Sequence, residues 1–507
     1  MEEDERMKLA KHLDPVEHSA PSRKHRQAFR HEQDALGSLP IPTEAYYGIH
    51  TLRAKMNFAV SSRPVNLRLI HAMVLVKKAA ARVNGRSGEL PVDKARAIEL
   101  ACDDILAGEL EEQFVVDAYQ GGAGTSTNMN VNEVVANRAL EHIGGQKGDY
   151  LIVHPIDDVN RYQSTNDVYP TALRIALIPL VRELAEAMAC LQAVFQVKEQ
   201  EYAEVLRLGR TQLMDALPIL AGQTFGAYAK AVARDRWRLY KVEERLREIH
   251  IGGTAVGTGM NAPLAYAYAM TDELRELTGL GLCRCDYPMD PTQNMDIFVE
   301  VSGLLKAAAV NLLKISGDCR LLSSGPSGGI GEYVLPPVQA GSSLMPGKVN
   351  PVMAEMLGCV AMRVIANDTA VTLAASHGQL ELNAFIPLLA EALLESLELL
   401  IHAVPLFQER CIAGLTLNDE RCREHLERSG VLAAATVAYL GYDIAAKLHG
   451  AAVSSGRPLE QLLLEQGLMT PEQIRQVLSP YAVTSPGIPG HSREKNELVC
   501  RAEEGTI

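Results

Sequence analysis

Positive charge is in short supply along this chain. Forty-nine Lys and Arg against 62 Asp and Glu leave a formal net charge of −13 over 507 residues. That balance repels nucleic acid and anionic membranes, so neither is an expected partner, and an anionic ligand would need local donors and cations. Paired cysteines are lacking as well. The nine are scattered and odd in number, and only Cys283 and Cys285 stand close together. No His or Cys cluster surrounds them, which argues against a metal site and reads as reduced thiols of a cytoplasmic protein. No apolar run reaches the length expected of a membrane span. The first residues, MEEDERMKLAKHLDPVEHSAPSRKHRQ, have no apolar centre for a secretory signal and are too acidic for a mitochondrial presequence. They read as part of a flexible extension over residues 1–33.

Familiar catalytic and nucleotide machinery is also missing. There is no GxSxG elbow and no HExxH pair. GTGMNA at 257–262 fits GxGxxA, but helical EERLREIH precedes it and Pro263 follows, where a dinucleotide loop needs a strand and then a helix. AGSSLMPGKVNP at 340–351 carries a Lys after a Gly. Five residues, not four, separate Gly341 from Gly347, and Val349 follows Lys348, so it is not a phosphate loop. His50, His154 and His377 read as structural.

What is present is an ordinary globular composition, 47% hydrophobic and 22% charged, with long helical periodicities. From about 168 to 206, apolar residues recur at Leu173, Leu177, Leu180, Leu184, Met188, Leu191 and Phe195, one stripe of a long helix. Asp167 suits its cap, Pro170 its first turn, and Pro179 should kink it. Similar patterns cover about 218–250, 297–322, 351–376 and 386–415. Strand patterns are nearly absent. The expected fold is therefore all-α in the main, an elongated bundle of five long helices over 167–417. An N-terminal domain over 34–166 precedes it and small helices over 418–507, such as TPEQIRQVL, follow.

Four polar strings punctuate these helices: GGAGTSTNMN at 121–130, QSTND at 163–167, GRTQLMD at 209–215, and the 340–351 stretch. Each is expected in a loop or at a helix end. Together they offer Ser, Thr and Asn donors, backbone N–H groups at helix N-termini and one Lys. That equipment suits a small dicarboxylate that gains charge on one carboxylate.

At this point GSSLMPGKVNP resembles the signature of the aspartase/fumarase superfamily, whose members eliminate ammonia, an amine or water from succinyl-type substrates to give fumarate. EAYYGIHTLRAKMNF at 44–58, YQGGAGTSTNMN, LLSSGP at 321–326 and GQLELN at 378–383 are similar to the aspartate ammonia-lyase branch rather than to class II fumarases. Gln212 fits as well, where fumarases characteristically carry His. Ser327 departs from a usual Arg, and Ile386 from a common Glu.

The resemblance implies a homotetramer whose sites are each built from three chains, L-aspartate as substrate, fumarate and ammonia as products, and no organic cofactor. It implies Ser342 as general base. Ser343, Lys348 and Asn350 match positions that serve the reacting carboxylate and its loop. Thr125, Ser164, Thr165, Asn166 and Thr211 match positions that bind the substrate's carboxylates and amino group. The alternatives are a class II fumarase acting on malate, a different amine lyase of the superfamily, and a catalytically silent structural or binding protein on the same fold; the intact Ser342, Lys348 and Asn350 argue against the last.

Overall fold

The order of apolar stripes along the chain lets each long helix bury one face against its neighbours, and five of them do so. The structure, a computed structural model, describes residues 28–491. The bundle helices are Thr165–Glu201, Ala221–Leu246, Asp296–Leu322, Val352–Ser376 and Ile386–Phe407. Their directions follow from side-chain pairs. Arg182 on the first helix meets Glu243 near the end of the second at 2.8 Å. The Arg174 guanidinium, near the start of the first, lies over the Phe298 ring at the start of the third. Ser302 donates to Asp368 near the end of the fourth at 2.8 Å. Asn367 in turn donates to Ser396 of the fifth at 3.0 Å. The helices thus run alternately up and down, the packing that short connections and 3.6-residue stripes favour.

The boundaries differ from those expected. The first helix begins at Thr165, with Ser164 as its N-cap. Asp167 therefore lies three residues beyond the cap, and its Oδ1 accepts the Ser164 N–H at 3.0 Å. The helix stops at Glu201 rather than about 206. Leu206–Thr211 and Met214–Leu220 then form an antiparallel hairpin with a register shift between Leu208 and Arg210. GRTQLMD thus sits on a hairpin rather than in a simple loop. The reason is long-range: Arg210 and Arg207 on its first strand reach the fully buried Glu332 at 2.8 and 3.3 Å, which no local pattern reveals. Pro179 lies inside the helix, which continues through it.

Phe29–Asp34 pairs with Gly37–Pro42, so residues 29–33, expected within the extension, belong to a strand. Arg30 holds them in place by donating to Ala45 O at 2.7 Å and Tyr47 O at 2.8 Å. Residues 1–27 of the extension lie outside the described residues. A single apolar cluster runs from Val65 to Leu415, across the 166/167 boundary, and a second, smaller one joins Ala433 to Val477.

One helix, Val352–Ser376, is long and apolar enough by composition to cross a membrane, contrary to the expectation of no such run. It is the fourth bundle helix, packed between the third and fifth. The eight described cysteines are all unpaired.

Candidate functional site

Two helix N-termini meet at one end of the bundle. Thr125 opens the helix Thr125–His142, whose N-cap Gly124 has φ +87°. A Cβ at Gly124 would lie 2.1 Å from the Tyr169 ring, so glycine is needed there for both conformation and space. The last six residues of GGAGTSTNMN are thus helical, and Thr125 is exposed at the helix start. Three residues on, Asn128 Nδ2 donates to Thr165 Oγ1 at 3.2 Å, joining this helix to the start of the first bundle helix.

The QSTND string is held from several sides. Ser164 Oγ accepts the Asn166 N–H at 3.2 Å. Asp167 Oδ2 accepts from Gly252 and Thr254 N–H groups at 3.0 and 2.9 Å, drawing the 250–262 loop against the helix start. Burial pushes the Asp167 carboxyl up to about 7, against the pull of these donors. The Asn166 amide donates to Ala255 O at 2.7 Å, and His250 Nε2 stands 3.1 Å from Asn166 O. Thr165 is buried, while Ser164 and Asn166 are half-buried.

Lys77, on the helix Leu67–Arg86, is entirely buried behind these strings. Its Nζ donates to Asn160 Oδ1 and Gln163 Oε1, both at 2.8 Å. Sequence reasoning missed it, as it missed Asn128, Asn160, Glu332 and His250. A signal did exist: Lys77 falls on the same stripe as Met73, Ala80 and Asn84, where a lysine breaks an otherwise buried helix face.

Thr211 and the 341–350 loop lie at the other end. Thr211 closes the first strand of the hairpin, where the exposed Gln212 and Leu213 adopt φ of +54° and +63°. Two successive non-glycine residues in that region are strained. Glu332 ties the hairpin to the segment leading into the 341–350 loop, and His425 beyond the bundle joins the same carboxylate at 2.8 Å.

The loop itself is pinched by Gly341 N–H donating to Lys348 O at 2.8 Å and by Asn350 Nδ2 donating to Gly341 O at 2.7 Å. Ser342 Oγ accepts two backbone N–H groups, from Leu344 at 3.1 Å and Met345 at 2.9 Å. Ser343 and Lys348 are exposed and Ser342 is half-buried.

One chain therefore gathers Thr125, Ser164, Thr165 and Asn166 at one end. It carries Thr211, Ser342, Ser343, Lys348 and Asn350 at the other. The first bundle helix, 37 residues, separates the two groups by about 55 Å at 1.5 Å per residue.

A family model described as Lyase matches residues 37–366, and one described as Fumarase C C-terminus matches residues 432–485. An aspartate ammonia-lyase from Pseudomonas aeruginosa is 46% identical over 460 residues, 90% of this chain and 97% of the relative. The solved fumarate lyase:delta crystallin from Brucella melitensis is 48% identical at a TM-score of 0.86, covering 89% of this chain and 98% of that one. A class II fumarase from Schistosoma mansoni is 33% identical at a TM-score of 0.84, with the same coverages. With a lyase model spanning more than half of its length and relatives of high identity matched almost end to end, the chain belongs to the aspartase/fumarase superfamily of lyases.

Proposed function

We propose that this protein is an aspartate ammonia-lyase that converts L-aspartate reversibly to fumarate and ammonia, with Ser342 as the base. The observation that carries the reading is the pair of backbone N–H groups on Ser342 Oγ. A serine hydroxyl is a poor base, and fixed donors on its oxygen stabilise the alkoxide that must form before it takes a proton. The proton leaves the carbon beside one carboxylate, and the electron pair moves into that carboxylate as an aci-anion. Its return forms the carbon–carbon double bond as the carbon–nitrogen bond breaks and ammonia departs. Ser343, Lys348 and Asn350 serve the charged carboxylate and the loop. Thr125, Ser164, Thr165, Asn166 and Thr211 hold the remaining carboxylate and the amino group. Donors at the N-termini of two helices suit anionic oxygens.

The site is shared among copies in a homotetramer, and the bundle surface supports this. On the fourth bundle helix, exposed Cys359, Met362, Ala366, Thr369 and Leu373 recur at steps of three and four, with Met362 and Leu373 each 54% exposed. In its most apolar stretch only 39% of the helix is buried within one chain. On the third helix, a Cβ at Gly303 or Gly317 would meet nothing within 4 Å. Mid-helix glycines destabilise a helix by about 1 kcal/mol, a cost that close approach of another helix offsets. Identical helices packing along this seam would bring the two ends of different chains together.

The test is to incubate the purified protein with L-aspartate or L-malate and follow fumarate absorbance and ammonia release. Ammonia and fumarate from L-aspartate, with little conversion of malate, are expected. Efficient malate dehydration without ammonia from aspartate would assign it to the fumarase reaction, and no turnover of either would make it a silent member.

A further inference from the structure

Beneath the two helix N-termini lies an ammonium that no carboxylate touches among the described residues. Lys77 is 0% exposed, and both of its hydrogen-bond partners, the Asn160 and Gln163 side-chain oxygens at 2.8 Å, are neutral. Burying a charge without a contacting counter-ion is costly. Burial pushes the Lys77 amine down to about 7, with Asp167 and Cys102 opposing the shift. A leucine or methionine would fill the same apolar stripe without that cost, so the position calls for a role beyond packing.

The hydrogen bonds indicate which role. Because the ammonium only donates, it fixes which way each amide faces. Asn160 must turn Oδ1 inward, leaving Nδ2 to donate to Gln163 O at 3.2 Å. Gln163 must turn Oε1 inward, leaving Nε2 to donate to Val159 O at 3.1 Å and to Arg161 O at 3.3 Å. The inward Asn160 Oδ1 also accepts from Asn128 Nδ2 at 3.1 Å, and the same Nδ2 reaches Thr165 Oγ1 at 3.2 Å. One nitrogen therefore sets a chain of amides that ends on both helix starts. One end is the helix opened by Thr125, and the other is the helix capped by Ser164.

We propose that Lys77 is a positioning residue for substrate: through Asn160, Gln163 and Asn128 it holds Thr125 in register with Ser164, Thr165 and Asn166. This rests on the reading of those residues as the substrate-binding edge. Lys77 does not touch the substrate. Its removal should disturb binding at this end of the bundle more than the chemistry of the Ser342 loop at the other.

The experiment compares assembled wild type, Lys77→Met and Lys77→Arg on whichever substrate the wild type turns over. It also measures the Kd of succinate, a dicarboxylate that cannot react. Lys77→Met should keep its melting temperature and assembly, raise KM and the succinate Kd about tenfold or more, and lower kcat much less. Lys77→Arg, which retains donors and charge, should recover part of the loss. Unchanged KM and succinate Kd in folded Lys77→Met, or a fall confined to kcat, would overturn the proposal.

If Lys77→Met does not assemble, Asn128→Ala decides. It cuts the same path at its far end while leaving both bonds to Lys77 in place. A raised KM and succinate Kd would support the proposal and unchanged values would overturn it. A wild type that turns over malate and not aspartate would refute the ammonia-lyase reading but leave this comparison intact, made on malate.

Discussion

Asn128 donates to the Thr165 hydroxyl across 3.2 Å, so the starts of two helices far apart in sequence are fixed to one another. The relationship sets half of the proposed site within one chain. The other half, around Ser342, is attached to the opposite end of the bundle by Glu332 and its arginines.

Ser342→Ala should reduce kcat by ~10²–10⁴-fold, the range typical of a lost general base. Circular dichroism and melting temperature should not change, because among the described residues the hydroxyl's partners are two N–H groups of its own, mostly exposed loop. Lys348→Ala should raise KM as well as lower kcat, since an exposed cation leaves the substrate carboxylate. Near-normal turnover in Ser342→Ala would remove Ser342 from the base role.

Mixing chains tests the shared site. Ser342→Ala and Thr211→Val homotetramers should each be nearly inactive. Denatured and refolded together, they should regain part of the wild-type activity, because some sites then draw every contributing segment from an unmutated copy. Verified mixed tetramers without activity would rule out sharing between these segments.

Glycine at 124 should be far less replaceable than its neighbour at 122. Both have positive φ, but a Cβ at Gly122 meets nothing, whereas one at Gly124 runs into the Tyr169 ring. Gly122→Ala should therefore lose only the backbone term, on the order of 1–3 kcal/mol. Gly124→Ala should lose more and also raise KM by displacing Thr125. Urea titration of both variants measures the difference, and equal losses would contradict the steric account.

Acid stability should depend in part on His250. Burial, with Arg174 adding to it, pushes this imidazole down to about 3 from an ordinary 6.5. Between those values the unfolded chain binds a proton at this residue and the folded chain does not. Stability from this group is therefore whole above about pH 6.5 and is lost as pH falls, by at most about 1.4 kcal/mol per pH unit. His250→Asn should show a shallower fall in melting temperature between pH 7 and 5 at matched protein concentration. Identical slopes would assign the acid sensitivity to other groups.

The five long helices were legible because a buried stripe repeats every three or four residues whatever the rest of the chain does. Their ends were less so. Asp167 looked like a cap because it is acidic and precedes an apolar run, but its carboxylate is taken up by Ser164, Gly252 and Thr254 N–H groups, and two of these come from a distant loop. The hairpin carrying Thr211 left no local trace, since what holds it is a buried carboxylate more than a hundred residues later.

The polar strings offered donors suited to a dicarboxylate by composition alone, and GSSLMPGKVNP pointed to the family by resemblance. Sequence by itself determined which residue types could handle a dicarboxylate and that helices would carry them. Helix length alone already set Ser164 and Thr211 apart in one chain, whereas only the tertiary structure decided that Ser342 receives two backbone donors and that Lys77 is sealed behind the helix starts. Periodicity and composition are properties of neighbours along the chain. Amide orientation and burial of a charge depend on partners that only folding brings together.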